Sequence, residues 1–237
     1  MKGWRARIGI MIPSVNAVLE AEFSTICAEG ITFHYSRMPI SKGDPLSRLS
    51  GMRNSISQCL TSLETVADVV GFACTSGSFA VGFENEISLQ KEMQDMVKKP
   101  VITTAQASMH ALKQLNAHKI EVVTPYGQEV NSKLKEYMES WGYAVKINAL
   151  DSSNFKSIGD FPEEQLYRQI RALPITEEMD ALFISCTNLA TWEILQQLEN
   201  DLKKPVITAN QATLWELLRT ASCKDKIEGL GTLLNSY

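Results

Sequence analysis

The feature that most constrains the fold of this chain is an internal repeat. The segment VGFACTSGSF surrounds Cys74, and a similar segment, ALFISCTNLA, surrounds Cys186. The same offset of 112 residues carries Pro13 of IGIMIPS onto Pro125 of IEVVTPY. Further along, KKPVITTAQAS recurs as KKPVITANQAT with a shift of 105 residues. Three matched segments in one order indicate an internal duplication with one such cysteine in each half.

Predicted strands and helices alternate along both halves. Short apolar runs such as IGIMI and DVVGFA are separated by segments with helical periodicity. This alternation predicts an α/β fold, in which parallel strands form sheets that helices cover. We therefore expect two pseudo-symmetric lobes, each a parallel sheet flanked by helices, with the active site in the cleft between them. The predicted first lobe comprises residues 1–115 and 221–237, and the second comprises residues 116–220.

Three helices and one C-terminal element are also predicted. Helices are expected over Asn16–Ala28, Leu46–Val66 and Asn188–Leu202. The last segment, Lys226–Leu234, is expected to be a short strand or a strand–helix unit.

Composition and charge exclude several classes of protein. The chain has 237 residues, of which 44% are hydrophobic, and a net charge of −4, so we expect no nucleic-acid partner. The longest apolar run near the N-terminus is too short for a signal peptide, and no run is long enough to span a membrane. These observations predict a cytoplasmic protein with no membrane partner.

The cysteines indicate free thiols instead of a disulfide framework. Five are present, with no CxxC pair and no Cys/His spacing typical of a zinc site, so we expect no metal. Cys27, Cys59 and Cys223 do not lie at the equivalent repeat positions and are interpreted as structural.

Cys74 and Cys186 each follow a predicted buried strand and precede a predicted helix. Ligands of α/β proteins bind at the carboxyl ends of the strands, so we expect both thiols to face one cleft. The N-terminus of a helix is expected to lower the pKa of such a thiol. Short polar donors suited to a carboxylate follow each cysteine: Thr75 and Ser76 after the first, Thr187 and Asn188 after the second. A single cysteine in this position is usually plain core, but two at equivalent repeat positions favour a functional pair.

Other candidate residues carry weaker signals. Tyr126 follows the strand that restarts the repeat and either reaches the same cleft or packs in the core. Asn16 is equally suited to a helix N-cap. The three histidines have no spacing that indicates a catalytic triad, and no GxSxG, P-loop or GxGxxG motif occurs.

Together, these segments resemble the aspartate/glutamate racemase superfamily, and within it the maleate cis-trans isomerase and arylmalonate decarboxylase branch. IGIMIPSVNAVLEAEF is similar to the opening motif of that branch, ACTSGSF and SCTNLAT to its two cysteine motifs, and VVTPYGQEVN to its middle motif. The resemblance covers nearly the whole chain. Glutamate racemases carry an acidic first motif, and arylmalonate decarboxylases have glycine at the position of Cys74. Maleate isomerases keep both thiols and an asparagine in the first motif, as this chain does.

The resemblance implies a role for each site residue. Cys74 is expected to be the thiolate that adds to the double bond of maleate, and Cys186 its partner acid or base. The residues expected to hold the carboxylates are Asn16, Thr75, Ser76, Tyr126, Asn154, Thr187 and Asn188.

The leading functional hypothesis is therefore a cofactor-independent isomerase of a small carboxylate, with conversion of maleate to fumarate the specific expectation. Racemisation of an amino acid and decarboxylation of a disubstituted malonate are alternatives that use the same two-sided cleft. A binding protein without turnover is a fourth hypothesis. The resemblance also implies a homodimer.

Overall fold

Two parallel sheets with the same strand order form the framework of the protein. The computed structural model describes residues 2–26, 28–40, 43–176 and 178–237. The first sheet has the order β2-β1-β3-β4 and consists of β1 (Ala6–Pro13), β2 (Ile31–Met38), β3 (Val69–Phe72) and β4 (Val101–Thr103). The second has the order β6-β5-β7-β8 and consists of β5 (Lys119–Thr124), β6 (Ala144–Ala149), β7 (Ala181–Ile184) and β8 (Val206–Thr208). The predicted α/β fold with two parallel sheets is confirmed.

Helices connect successive strands and cover both sheets. Those of the first half are α1 (Leu19–Ser24), α2 (Pro45–Met52), α3 (Ile56–Glu64), α4 (Thr75–Phe79), α5 (Phe83–Val97) and α6 (Thr104–Gln114). Those of the second half are α7 (Gln128–Ser140), α8 (Glu163–Ala172), α9 (Trp192–Leu202), α10 (Ala209–Thr220) and α11 (Gly231–Ser236). Single 3-10 turns lie at Arg53–Ser55 and Ile158–Asp160. In the described part of the chain, no helix is both long and apolar enough to cross a lipid bilayer.

The repeat is visible in the register of the central strands. In the first sheet Ile10 lies between Tyr35 and Gly71, and in the second Val122 lies between Ile147 and Phe183. Strands β3 and β7 are buried along their whole length, as expected for parallel strands covered on both faces.

Helices α6 and α10, which follow the two KKPVIT segments, pack against each other and join the two halves. The Thr104 and Thr213 hydroxyls hydrogen-bond between them at 2.8 Å. Helix α10 also packs on β3, where a Cβ atom at Gly71 would lie 3.2 Å from Leu217 Cδ1. Glycine at this position therefore lets the last long helix of the second half approach the first sheet closely.

Several predicted helices are shorter or divided. The helix predicted over Asn16–Ala28 is limited to α1 among the described residues, which exclude Cys27. The segment Leu46–Val66 contains α2, a 3-10 turn and α3 instead of one helix. The helix predicted from Asn188 begins only at Trp192, because the residues after Cys186 form a turn.

Residues 231–236 of the C-terminal segment form α11 and residues 226–230 form no strand, so the strand predicted within Lys226–Leu234 is wrong and only the helical part of the strand–helix alternative is present. Helix α11 forms because Glu199 accepts hydrogen bonds from the backbone N–H and the hydroxyl of Thr232 in its first turn. It packs against α9, α10 and β8, whereas Asp225 pairs with Arg5 at 2.8 Å. The C-terminal segment, residues 221–237, therefore contacts both halves. Its assignment to the first lobe stays a prediction.

Candidate active site

A cavity of about 270 Å³ lies at the carboxyl ends of the central strands of both sheets. Residues from both pairs of repeat positions line this cavity. Pro13 ends β1, and Pro125 follows β5. Cys74 follows β3, and Cys186 follows β7. The duplication therefore presents one thiol from each half to a single cavity, as predicted from the strand pattern.

Cys74 caps the helix that follows it. Its Sγ accepts a hydrogen bond from the Gly77 N–H at 3.3 Å, and the Ser76 hydroxyl lies 4.0 Å away. A Cβ atom on Gly77 would come within 2.9 Å of this sulfur and 2.8 Å of the Met52 methyl group. Glycine at position 77 is thus what allows the thiol to sit directly on the helix N-terminus.

Cys186 has a different local structure. Its Sγ accepts a hydrogen bond from the Asn188 N–H at 3.4 Å, but a turn follows, and α9 begins only six residues later. The two thiols are equivalent in the repeat without being equivalent in their surroundings. Only Cys74 has the helix N-terminus that the sequence predicted for both.

Burial raises the pKa of both thiols. It raises the pKa of Cys74 to about 12, although the Gly77 N–H opposes the shift and an ionised Cys186 would add to it. It raises the pKa of Cys186 to about 11, opposed by the Asn188 N–H and by Tyr126. The predicted lowering of these pKa values is therefore wrong for the resting protein, because loss of hydration outweighs the few donors nearby.

The raised pKa values predict how thiol reactivity depends on pH. Only the thiolate is alkylated, so the rate at both cysteines should rise about tenfold per pH unit between about pH 7 and pH 9. Iodoacetamide labelling without substrate, quantified by peptide mass spectrometry, measures this for each cysteine. Glutathione serves as the comparison, because its rate levels off near its own pKa. A plateau at Cys74 below about pH 8 would contradict the effect of burial.

Three predicted substrate-binding residues, Asn16, Thr187 and Asn188, form hydrogen bonds between the two halves. Asn16 Nδ2 donates to the carbonyl and hydroxyl oxygens of Thr187 at 3.0 and 3.1 Å, while its Oδ1 accepts from the Val18 and Leu19 N–H groups. Asn188 Oδ1 accepts from the Ala17 N–H at 2.8 Å. These side chains line the cavity, but their hydrogen-bonding groups already join the β1–α1 connection to the Cys186 loop. Asn16 is not the N-cap residue of α1, which is Val18, although its Oδ1 accepts the N–H of Leu19, the first residue of that helix.

Replacing Asn16 with alanine should therefore destabilise the fold. The change leaves the N–H groups of Val18 and Leu19 without their acceptor and removes one of the two donors to the Thr187 carbonyl, so we expect a loss of about 3 kcal/mol in the free energy of unfolding. Urea denaturation measures this loss. An unchanged unfolding midpoint combined with a raised KM would instead show that Asn16 serves substrate binding alone.

Three further hydroxyl groups lie at the site. The hydroxyls of Thr75, Tyr126 and Ser185 are buried and have no hydrogen-bond partner among the described residues. Tyr126 lies beside Ser185 and Cys186, and burial raises its pKa well above the ordinary value, so it stays a neutral donor. Ser185 was not among the predicted site residues, although its position just before Cys186 indicates that it lies near the site.

Eight of the nine predicted site residues surround this one cavity. They are Asn16, Cys74, Thr75, Ser76, Tyr126, Cys186, Thr187 and Asn188. Asn154 is exposed and does not line it, whereas Ile158 from the same loop does. Apolar side chains of Ile40, Leu49 and Val130 also line the cavity and were missed, because nothing in their sequence context marks them. Among the described residues, no group of side chains is arranged to hold a metal ion.

Comparison with known proteins assigns the family. The sequence profile of the arylmalonate decarboxylase family matches residues 8–234. The chain belongs to the arylmalonate decarboxylase family. The resemblance inferred from the four motifs is confirmed at this level.

Within and around this family, several characterised proteins are similar over nearly their whole length. The maleate isomerase of Alcaligenes faecalis is 26% identical over 97% of this chain and 96% of its own. That of Pseudomonas putida is 27% identical, with 97% of each chain covered. The arylmalonate decarboxylase of Bordetella bronchiseptica is 21% identical over 90% of each chain.

A solved structure supports the same fold. A variant of the maleate isomerase Iso from Pseudomonas putida S16, crystallised with maleate, superposes with a TM-score of 0.90. It is 26% identical to this chain, and 97% of each chain is covered.

Proposed function

We propose that this protein is a cofactor-independent maleate cis-trans isomerase that converts maleate to fumarate. The observation that carries the proposal is the placement of Cys74 and Cys186, from equivalent repeat positions, on one cavity. Four relatives named maleate isomerase, 23–27% identical to this chain, support the same activity.

The first proposed step is addition of a thiolate. Cys74 transfers its proton to solvent, from which it regains a proton when the product leaves, and its sulfur forms a bond to one alkene carbon of maleate. The electron pair of the double bond moves to the neighbouring carbon and is delocalised into the adjacent carboxylate. Because the resting Cys74 thiol is neutral, deprotonation is a costly part of this step.

The second step is rotation and elimination. The bond between the two central carbons is now single, so the substituents can rotate into the trans arrangement. Cys186 supplies a proton to the carbanion and removes it again, and the electron pair then re-forms the double bond as the carbon–sulfur bond breaks. Fumarate leaves, and both thiols return to their starting state.

Neutral donors are proposed to hold the carboxylates. Within the part of the chain that the structure describes, the hydroxyls of Thr75 and Tyr126 have no hydrogen-bond partner, and the Ser76 hydroxyl lies beside the Cys74 sulfur. Asn16, Thr187 and Asn188 would shape the wall of the site, since their side chains are bonded to each other or to the backbone. Asn154 keeps its predicted role only if its loop rearranges, because it lies away from the cavity.

Decarboxylation of an arylmalonate is the second candidate function. It is favoured by the family profile, which covers residues 8–234, and it needs only Cys186 as the proton donor. Cys74 argues against it, since the decarboxylases that this chain resembles have glycine there. A racemase would use the two thiols to remove and return an α-proton from opposite faces.

One set of proton NMR experiments in heavy water tests these proposals. With maleate, the isomerase predicts replacement of the maleate vinyl signal by that of fumarate. Loss of phenylmalonate with release of carbon dioxide would favour the decarboxylase, and exchange of the α-proton of aspartate would favour the racemase. A small acid that raises the melting temperature without any turnover would indicate a binding protein.

Two further expectations belong to this proposal. A cytosolic location is supported by the four free thiols among the described residues, since reducing compartments keep cysteines unpaired. The homodimer rests on the family resemblance, and light scattering of the purified protein measures it.

A further inference from the structure

A buried carboxylate outside the cavity links the two halves next to the Cys186 loop. Glu22 lies on α1 and is only 9% exposed. Its Oε1 accepts hydrogen bonds from the N–H groups of Thr191 and Trp192 at 2.6 and 3.0 Å. A residue of the first half therefore caps the N-terminus of α9 in the second half.

The other carboxylate oxygen of Glu22 holds an amide that reaches the Cys186 loop. Oε2 accepts from Asn210 Nδ2 at 2.6 Å, and the same Nδ2 donates to the Thr187 carbonyl at 3.2 Å. Both partners are acceptors, which fixes the orientation of the Asn210 amide. Its Oδ1 is buried and has no partner among the described residues. Such an arrangement is stable only while an acceptor occupies the position of the Glu22 side chain.

These contacts secure the short loop from Cys186 to Thr191 at both ends. At its start, the Thr187 carbonyl is held by Asn210 and Asn16, and at its end Thr191 is held by Glu22. The Cys74 thiol itself is bonded within its own segment, to the Gly77 N–H of α4. The two segments meet where the Thr187 hydroxyl donates to the Ala73 carbonyl at 3.3 Å, but the contacts of Glu22 and Asn210 are all on the Cys186 side.

We propose that Glu22 is a positioning residue for Cys186, acting through Asn210 and the Thr187 carbonyl to hold the thiol at the cavity wall. Its effect on turnover rests on the proposed isomerase function, whereas its effect on the thiol does not. Neither Glu22 nor Asn210 lines the cavity, so neither is proposed to touch substrate.

Glu22→Gln tests this arrangement with little change in shape. The new side chain can keep its oxygen toward Thr191 and Trp192, but its NH₂ group then faces the NH₂ group of Asn210. Relief of this conflict requires the Asn210 amide to turn, which removes the hydrogen bond to the Thr187 carbonyl. The variant therefore removes one of the two hydrogen bonds that hold the Thr187 carbonyl at the start of the Cys186 loop, while keeping the cap of α9.

The primary measurement is the ratio of the two thiol reactivities. We expect iodoacetamide at about pH 8 to label Cys186 about tenfold faster in Glu22→Gln than in the unmodified protein, with labelling of Cys74 unchanged. Burial raises the pKa of Glu22 to about 7, with the nearby charge of Glu163 adding to the effect, so the carboxylate is ionised at this pH. Peptide mass spectrometry resolves the two cysteines. Asn210→Ala removes the same link and should give the same ratio, which keeps the test available if Glu22→Gln does not fold.

Glu199→Gln is the matched control. Glu199 is also a buried glutamate, and it also accepts backbone N–H groups, those of Val206 and Thr232. It should lower stability without changing the ratio of the thiol reactivities. Two results in Glu22→Gln would overturn the proposal: no change in the labelling of either cysteine, or the same increase at Cys74 and Cys186. Both leave the ratio unchanged and indicate a purely structural role.

Turnover provides an independent readout. In Glu22→Gln we expect kcat for maleate to fall about tenfold with a smaller change in KM, because two of the three proposed carboxylate donors, Thr75 and Ser76, lie in the Cys74 segment. Absence of maleate turnover in the unmodified protein would refute the proposed function and leave the thiol ratio as a valid test of Glu22.

Discussion

Cys74→Ala is expected to abolish conversion of maleate to fumarate, lowering kcat by at least about 10³-fold. The covalent bond to sulfur is what turns the central double bond into a single one. Of the described residues that line the cavity, the only other thiol is Cys186, which is assigned to proton transfer. The hydroxyls of Thr75 and Ser76 are far weaker nucleophiles than a thiolate at neutral pH. Absorbance of maleate and fumarate in the ultraviolet follows the reaction directly.

Cys59→Ala is the control for this experiment. Cys59 is a buried free thiol on α3 that does not line the cavity, so the variant should lose some stability and keep its activity. Residual activity of Cys74→Ala above about one tenth of the unmodified rate would exclude Cys74 as the nucleophile. The mechanism would then require addition through Cys186 or no covalent step.

Cys186→Ala is expected to stop the reaction at a covalent intermediate. Once the carbanion has taken a proton from solvent, the adduct is a saturated thioether. Without the Cys186 sulfur, no base remains on that side of the cavity to remove the proton. Incubation with maleate should therefore increase the intact mass by about 116 Da, the mass of maleic acid. Turnover should fall by at least about 10³-fold, because only uncatalysed proton removal can release the product.

Peptide mapping decides which sulfur carries the adduct. The added mass should lie on the peptide that contains Cys74, and the double variant with Cys74→Ala and Cys186→Ala should show none. An adduct on Cys186 in the Cys74→Ala protein would reverse the two roles. No adduct in either single variant would remove the covalent mechanism while leaving acid–base racemisation open.

The asymmetry between the two thiols gives these roles a structural basis. Cys74 sits on the N-terminus of α4 and is bonded to the Gly77 N–H, a donor that opposes the effect of burial on the pKa of this thiol. Cys186 lies in a turn held by groups of the other half of the chain. A proton carrier needs a defined position more than a stabilised charge, which is consistent with the proposed assignment.

Local sequence pattern accounts for most of the fold. The apolar runs, the helical periodicity and the repeat predicted two parallel sheets, and the structure confirms them. The position of Cys74 and Cys186 at strand ends follows from the same pattern, since parallel strands present their carboxyl ends on one side of the sheet. Their proposed chemical roles stay predictions.

The errors lie where distant groups decide the local structure. The helix predicted from Asn188 starts late because the Cys186 loop is tied to the β1–α1 connection about 170 residues away. The C-terminal strand is replaced by α11 because Glu199 caps its first turn from another helix. Neither contact leaves a periodic signal in the sequence.

By itself, the sequence determined the duplicated α/β architecture, the membership of the motifs in one family and the arrival of one thiol from each half at a common edge. Only the tertiary structure decided that Asn16 and Asn188 form hydrogen bonds between the halves, that burial raises the pKa of both thiols and that Glu22 accepts hydrogen bonds from Thr191 and Asn210. Strand and helix periodicity depends on neighbours a few positions away, whereas loss of hydration and hydrogen bonds between distant segments exist only after the chain has packed.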